Sequence, residues 1–275
     1  MSGKQMIEKQ MTNKVAVITG GTSGIGFACA CRFAEEGAKL VLADLFEDKG
    51  AESVARLQAD YGAEAIFVQT DVTSESAVEA LGAATLAKFG RVDSAVAAAG
   101  IASGSVTPGA VVDPNADPEA GHVINKPLSN WLKVLEVNLT GVMLTNKVMA
   151  RLMIEGGVKG TIVNIASVAA RRPLVGAADY CVSKAGVEML TKVLSLELMP
   201  HEIRVNSIGP GFVETPMTAN LRSDNEGNMM AMSMTPMARY GKPAEIANTA
   251  LFLSTDASSY YAGQILFPAG GMFTS

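Results

Sequence analysis

The sequence predicts an α/β fold, with one domain built on a parallel, doubly wound sheet flanked by helices. Three observations predict it. Short apolar, β-branched runs alternate with helical segments of ten or more residues along nearly all of the 275-residue chain, and that alternation specifies parallel strands joined by crossovers. The chain is 48% hydrophobic and only 18% charged, enough apolar mass for a large core. The first strand also runs directly into a glycine-rich turn and a helix, which aims helix-start amides at a phosphate. Length alone would allow one large domain or two small ones, but no repeat, low-complexity segment or domain boundary interrupts the pattern.

Residues 1–13, MSGKQMIEKQMTN, lack the apolar region of a secretory leader. They are expected to be a disordered or frayed tail, with the domain spanning 14–275. Val15–Thr19 is too short for a helix and rich in β-branched residues, so it reads as a buried strand. It meets the turn Gly20-Gly-Thr-Ser-Gly-Ile-Gly26 at once. That spacing is not the literal G-x-G-x-x-G fingerprint, so its place between strand and helix carries the argument. The following helix, Phe27–Glu36, ends at Gly37. Leu40–Ala43 is the second strand, and Asp44 stands at its end. A carboxylate there, about 20 positions past the turn, suits adenosine ribose hydroxyls and repels a 2′-phosphate. Neither Leu45 nor Ser23 is a cation that would welcome that phosphate, so NAD is expected over NADP. Asp44 could instead cap the helix over Glu47–Tyr61.

Ala65–Gln69 is the third strand, leading to Thr70-Asp71-Val72. A helix over Ser74–Phe89, capped by Ser74 or Thr73, precedes a fourth strand over Val92–Ala98. Residues 101–129 then break the rhythm with Pro108, Pro114, Pro118 and Pro127. They read as a long excursion over the strand carboxyl ends, where open α/β sheets bind ligands. His122 within it reads as solvated. Trp131–Ile154 is a long helix containing Asn138. Asparagine is a mediocre helix former, so this one is either a buried amide bridging backbone and water or an exposed one.

Chemistry gathers in Thr161–Lys184, TIVNIASVAARRPLVGAADYCVSK. A buried strand through Ile165 ends at Ser167. Tyr180 and Lys184, four residues apart, share a helix face. A free phenol ionises near pH ~10, and an adjacent ammonium favours the phenolate. A tyrosine tuned in this way exchanges a proton with an alcohol or carbonyl near neutral pH. Taken alone, the three also read as ordinary strand-end and helix-surface residues. Arg171 and Arg172 read as a solvated surface pair, with carboxylate or phosphate recognition as the alternative. The helix runs to about Met199 and stops at Pro200, beside a structural His201.

Ile203–Ile208 is the sixth strand, followed by Gly209–Pro216 and a methionine-rich stretch to Tyr240. Met217, Met229, Met230, Met232, Met234 and Met237 are flexible enough to form a lid over an apolar substrate or to pack into an interface or core. A helix over Pro243–Ser254 and a strand over Gln264–Phe267 complete the chain. The net charge of −5 and the lack of a basic stripe argue against nucleic acid and anionic membranes as partners. Cys29, Cys31 and Cys181 are too few and scattered for a disulfide framework or zinc site, so no metal is expected and a reducing cytoplasm is. No apolar run reaches the roughly 18 residues that span a membrane.

Assembled, these residues resemble the short-chain dehydrogenase/reductase family from Lys14 to about Gly271. The marks are TGGTSGIG at 19–26, Asp44, DV at 71–72, AAAG at 97–100, NLTG at 138–141, IAS at 165–167, YCVSK at 180–184 and RVNSIGPGFVET at 204–215. Tyr-x-x-x-Lys alone is weak, but all of them in order are specific. The resemblance implies a single Rossmann-like domain with a seven-stranded parallel sheet, usually a homotetramer, and hydride transfer between a nicotinamide cofactor and a secondary alcohol or ketone; Asp44 points to NAD, and the methionine-rich lid to a small molecule with an apolar ring, a steroid-like ketone or an acyl chain. It implies that Tyr180 is the acid/base and that Ser167 hydrogen-bonds the substrate oxygen. Lys184 would hold the nicotinamide ribose and lower the tyrosine pKa, and Asn138 would hold a relay water. Gly20, Thr22, Ser23, Gly24, Ile25 and Gly26 would cradle the cofactor with Asp44 and Leu45. Asp71 and Val72 would meet the adenine, Ala98, Ala99 and Gly100 would line the cofactor, and Pro210, Gly211, Val213 and Thr215 would meet the nicotinamide end.

Two departures stand out. Ala97-Ala98-Ala99-Gly100 lacks the asparagines that usually brace the central sheet, and Phe267-Pro268-Ala269-Gly270-Gly271 lacks the usual acidic residue. The excursion over 101–129 is longer than is common in the family and is expected to shape substrate choice. The alternatives are a 3-oxoacyl-thioester reductase, against which Asp44 argues through cofactor preference, and a non-catalytic NAD-binding regulatory protein.

Overall fold

Seven parallel strands form one sheet in the order β3-β2-β1-β4-β5-β6-β7. They are β1 (Val15–Thr19), β2 (Lys39–Asp44), β3 (Ala65–Gln69), β4 (Ser94–Ala97), β5 (Thr161–Ile165), β6 (Arg204–Ile208) and β7 (Ile265–Leu266). The computed structural model describes residues 9–102, 119 and 121–274. The chain winds outward from β1 to β3, returns beside β1 as β4, and winds the other way. The reversal opens a crevice at the carboxyl ends of β1 and β4, where Thr19 pairs with Ala97.

Side-chain alternation along the strands builds two apolar layers. Ile18, Leu40, Leu42 and Val163 face one side, beneath helices α1 (Gly24–Glu35) and α9 (Pro243–Ser254), which contribute Phe33, Ile246 and Ala250. Val17, Val41, Ala95, Ile162 and Val205 face the other side, with Val78 and Leu81 of α3 (Glu75–Phe89) and Met149 and Met153 of α5 (Gly141–Glu155). Both faces are covered, which is why these strands read as continuous apolar runs. Helix α2 (Glu47–Tyr61) starts at an N-cap of Phe46, so Asp44 does not cap it. Ser74 does cap α3, accepting from the Ala77 N–H.

Residues 9–13 depart from the frayed tail expected over 1–13. They form a turn in which Met11 is 1% exposed and its N–H donates to the Glu36 carbonyl at 3.0 Å. Burying one apolar side chain against α1 holds this piece down. Residues 1–8 lie outside the described residues. So does most of the excursion over 101–129, including Pro108, Pro114 and Pro118, while Pro127 is the N-cap of α4 (Leu128–Leu135). The helix expected over Trp131–Ile154 is not uniform. Between α4 and α5, Glu136–Thr140 forms a π-turn, with Asn138 in it. The widened turn of a π-bulge changes where side chains point, and such turns recur at functional sites. Helix α6 (Ala178–Leu198) carries Tyr180 and Lys184. The methionine-rich stretch holds two short helices, α7 (Ala219–Ser223) and α8 (Asn225–Met234).

Candidate active site

The glycine turn folds tightly because its glycines leave room that side chains would fill. A Cβ on Gly26 would lie 2.1 Å from the Gly20 carbonyl oxygen, and one on Gly20, at φ +65°, would lie 2.8 Å from the Ala99 nitrogen. The turn is thus wedged between β1 and the end of β4. Its helix, α1, has an N-cap, Ser23, that makes no side-chain cap bond, and it carries no acidic residue in its first turn. Its leading amides and dipole are available to an anion. Asp44 lies at the turn's flank, where Oδ2 accepts from the Thr22 hydroxyl at 2.5 Å and the Thr22 N–H at 3.3 Å. Oδ1 accepts from the Leu45 N–H at 2.8 Å. An ionised carboxylate has about four acceptor sites, so Asp44 retains capacity for a further hydroxyl. This cradle of close backbone, helix-start amides and one half-buried carboxylate fits a dinucleotide. Ser23 and Leu45 are exposed beside it, and Ile25 packs inward against the core.

The other expected cofactor residues fall along the same crevice. Asp71 accepts from the Thr73 N–H and hydroxyl at 2.9 and 2.8 Å. Burial pushes its carboxyl up, but the Thr73 bonds and the charge of Lys133 bring it net below its ordinary value. Val72 is buried against Gly141, where a Cβ would meet its side chain at 2.7 Å. Ala98 and Ala99 donate to the Thr19 carbonyl and hydroxyl oxygens at 3.2 and 3.5 Å. Thr19 thus ties the end of β4 where asparagines are missing. Pro210 accepts from the Val168 N–H at 3.0 Å, Gly211 lies against Ala269, and Val213 bridges to Gly241. The Thr215 side chain stands 3.4 Å from a Cβ placed on Gly24, bringing the segment after β6 onto the glycine turn.

Ser167, Tyr180, Lys184 and Asn138 converge at the carboxyl edge of β4 and β5. The Ser167 Oγ accepts from the Ala169 N–H at 3.1 Å, so its own proton is free to be directed elsewhere. It lies within hydrogen-bonding reach of the half-buried Tyr180 phenol. The Lys184 Nζ is buried, donates to the Ile165 carbonyl at 2.8 Å and stands 5.7 Å from the centre of the Tyr180 ring. Asn138 is fully buried. Its Oδ1 accepts from the Ile101 N–H at 2.8 Å, and its Nδ2 donates to the Ile101 carbonyl at 2.9 Å and to Ser183 Oγ at 3.3 Å. The amide therefore clamps the backbone just past Gly100, where a Cβ would lie 3.2 Å from Asn138 Oδ1 and 3.6 Å from Lys184 Nζ.

The electrostatics differ from the expectation in one respect. Burial pushes the Tyr180 phenol above its ordinary value, and the Ser167 hydrogen bond pulls it only partly back. Lys184 does not reverse the direction, because burial has also pushed its own ammonium down to about 8. Burial thus penalises the charged form of both groups.

Arg171 lies at the surface as expected and Arg172 is half-buried, but each has a protein partner. The Arg171 Nε and Nη2 donate to the Glu188 carboxylate at 2.6–3.1 Å, and its guanidinium lies 5.3 Å from the centre of the Phe267 ring. Arg172 Nη1 donates to the Met272 carbonyl at 2.6 Å. Both anchor the C-terminal segment. Of the methionines, Met234 packs with Ala269 and Met272, whereas Met217, Met229, Met230 and Met237 are exposed. The same stretch therefore supplies both packing and an exposed apolar face.

One feature escaped sequence reasoning entirely. Lys126 and Asp179 form an ion pair at 3.1 Å, with side chains 6% and 0% exposed. Asp179 immediately precedes Tyr180, but neither residue belongs to a recognisable motif, and their separation of 53 positions hides the contact. Among the described residues, no group of three or more His, Cys, Asp or Glu could hold a metal ion, and no helix is long and apolar enough to cross a membrane.

Comparison with known proteins shows what the chain is similar to. A family model described as enoyl-(acyl carrier protein) reductase matches residues 20–273. A cis-4-hydroxycyclohexanecarboxylate dehydrogenase of Sinomonas cyclohexanicum is 39% identical over 259 residues, covering 94% of this chain and 96% of that protein. A 3-oxoacyl-[acyl-carrier-protein] reductase of Synechocystis sp. is 36% identical over 263 residues, covering 95% and 98%. A crystal structure of a short-chain type dehydrogenase/reductase from Mycobacterium marinum superposes with a TM-score of 0.86 at 31% identity, covering 98% of both chains.

Proposed function

The chain belongs to the short-chain dehydrogenase/reductase family of oxidoreductases, and from that premise we propose that it interconverts a ring secondary alcohol and its ketone with NAD(H). The observation that carries the reading is the meeting of Tyr180, Ser167, Lys184 and Asn138 beside a dinucleotide cradle flanked by Asp44. Bound nicotinamide supplies the hydride acceptor or donor. The rest is done by this chain. Tyr180 moves the proton of the substrate oxygen. Ser167, with its acceptor side engaged by Ala169, donates to that oxygen and stabilises developing charge on it. Lys184 spends one proton on Ile165 and keeps two for ribose hydroxyls. Asn138 holds the Gly100–Ile101 backbone in place beside Lys184, where a relay water is proposed. A phenol raised by burial keeps its proton at neutral pH, so Tyr180 is set to donate to a ketone there and to accept from an alcohol at alkaline pH.

Asp44 supports NAD over NADP, since a carboxylate facing a 2′-phosphate would be a like-charge contact. The relative named for a hydroxycyclohexanecarboxylate favours a ring alcohol, and the exposed methionines favour apolar contact with the ring. The 3-oxoacyl reductase relative keeps an acyl thioester as the second reading. The outer face of α6 exposes Val182, Met189, Val193 and Leu196, a helix-spaced apolar stripe that supports self-association, with a homotetramer as the family expectation. The free cysteines Cys29, Cys31 and Cys181 are consistent with a cytoplasmic setting.

The test is a panel of cyclohexanols, linear secondary alcohols, their ketones and a 3-oxoacyl thioester. Each is offered with NAD(H) and NADP(H) while reduced-cofactor absorbance is followed. Turnover of ring alcohols with NAD is expected. A preference for NADP would defeat the role given to Asp44, and turnover of the thioester alone would install the second reading.

A further inference from the structure

We propose that Lys126 and Asp179 are a positioning pair that seats Tyr180 by fastening the end of the 101–129 excursion to the start of the catalytic helix. The inference rests on the reading of Tyr180 as the proton-exchanging group. The Asp179 carboxylate reaches two segments: Oδ2 takes the Lys126 ammonium at 3.1 Å, and Oδ1 takes the Tyr180 backbone N–H at 2.9 Å. That N–H belongs to the first turn of α6, where amides have no partner within the helix. One buried carboxylate thus links the backbone of the catalytic tyrosine to a residue of another segment. Lys126 also donates to the Gly176 carbonyl at 3.4 Å, on the approach to α6. The two segments meet closely. Gly176 has φ +78°, and a Cβ on Gly121 would lie 2.9 Å from the Gly176 oxygen.

The pair stitches together the two helical elements that carry the site. Lys126 directly precedes Pro127, the N-cap of α4, from which the chain runs through the π-turn holding Asn138. Asp179 lies in the first turn of α6. A second stitch lies deeper, where Asn138 Nδ2 donates to Ser183 Oγ, which donates to the Tyr180 carbonyl at 2.7 Å. Tyr180 is therefore held by its N–H from the Lys126 side and by its carbonyl from the Asn138 side. Exposed ion pairs contribute little, and a buried pair is costly to make and costlier to halve. A pair with both side chains nearly sealed from water, placed one residue from the catalytic phenol, has its natural use in geometry. The position of Tyr180 then depends on Lys126 and its neighbours at the entrance to α4.

The test compares the parent with Lys126→Arg and with Lys126→Met/Asp179→Asn, in which both charges of the pair are removed together. Asparagine keeps an acceptor for the Tyr180 N–H. Readouts are Tm, NADH affinity by fluorescence, kcat and KM on the best alcohol of the panel, and the alkaline absorbance titration of Tyr180, isolated by subtracting the Tyr180→Phe protein. The double variant is expected to keep the parent's Tm and NADH affinity while kcat falls at least ~10-fold and KM stays nearly unchanged, as misplacement of a reacting group would produce. Lys126→Arg is expected to restore most of kcat. A double variant with parental kcat, or an Arg variant as slow as the double, overturns the proposal. If the parent turns over no alcohol, the proposed function fails on its own, and the Tyr180 titration decides the pair. A midpoint displaced in the double variant supports it, and an unchanged midpoint overturns it.

Discussion

Replacing Lys184 by methionine should stabilise the fold while abolishing turnover. Burial pushes the Lys184 ammonium from an ordinary 10.5 down to about 8. At about 1.36 kcal/mol per pH unit, the gap corresponds to roughly 3 kcal/mol of penalty on the charged form. Below pH 8 the lysine is protonated both folded and unfolded, so the whole penalty is present. Between about pH 8 and 10.5 the unfolded chain binds the proton more tightly than the folded one, so this group's contribution makes stability rise with pH, and above 10.5 the penalty is gone. Methionine matches much of the apolar stem but deserts the Ile165 carbonyl, to which Lys184 donates at 2.8 Å, at a cost of about 1 kcal/mol. A net gain of about 2 kcal/mol at pH 7 follows, or a Tm higher by roughly 4–8 °C for a chain of this size. Thermal melts of parent and Lys184→Met protein from pH 7 to 10.5 check this, and the gap should narrow across the upper part of that range. A variant less stable than the parent at pH 7, or a gap that ignores pH, would refute the account of Lys184 as a charge kept buried for function.

Other outcomes follow from the same geometry. Tyr180→Phe should lose turnover while NADH fluorescence still reports binding, and near-normal kcat in that variant would remove Tyr180 from the chemistry. Alcohol oxidation by the parent should accelerate as pH rises toward the upward-shifted phenol value, whereas ketone reduction should not; a flat oxidation profile from pH 7 to 10 would count against it. Gly26→Ala puts a methyl 2.1 Å from the Gly20 carbonyl, so the turn must shift, and NADH affinity measured by titration should fall about tenfold or more, on a strain of ~1–3 kcal/mol. Asp44→Asn keeps an acceptor for Thr22 but discards the charge. It should narrow the preference for NAD over NADP by roughly tenfold, on the scale of one charged hydrogen bond, read as the ratio of kcat/KM values.

Much of this protein is legible in its sequence. β1 at Val15–Thr19, β3 at Ala65–Gln69, α2 at Glu47–Tyr61 and α9 at Pro243–Ser254 fall where periodicity and turn chemistry place them, because those signals act between neighbours in the chain. Tyr180 and Lys184 share a helix face through their spacing, and Asp44 ends β2 beside the glycine turn because strand and turn lengths put it there. What depended on tertiary structure involves residues far apart in the chain or water excluded by packing. The widened turn at Asn138 exists where the helix must aim an amide at Ile101, 37 residues back. Arg171 meets the Phe267 ring only when the C-terminal segment comes home, and Lys126 meets Asp179 only when the residues leading into α4 lie against the start of α6. The direction of the Tyr180 shift belongs to the same class. Spacing told of a cation nearby, but how dry the site is, and hence which effect wins, is set by everything packed around it.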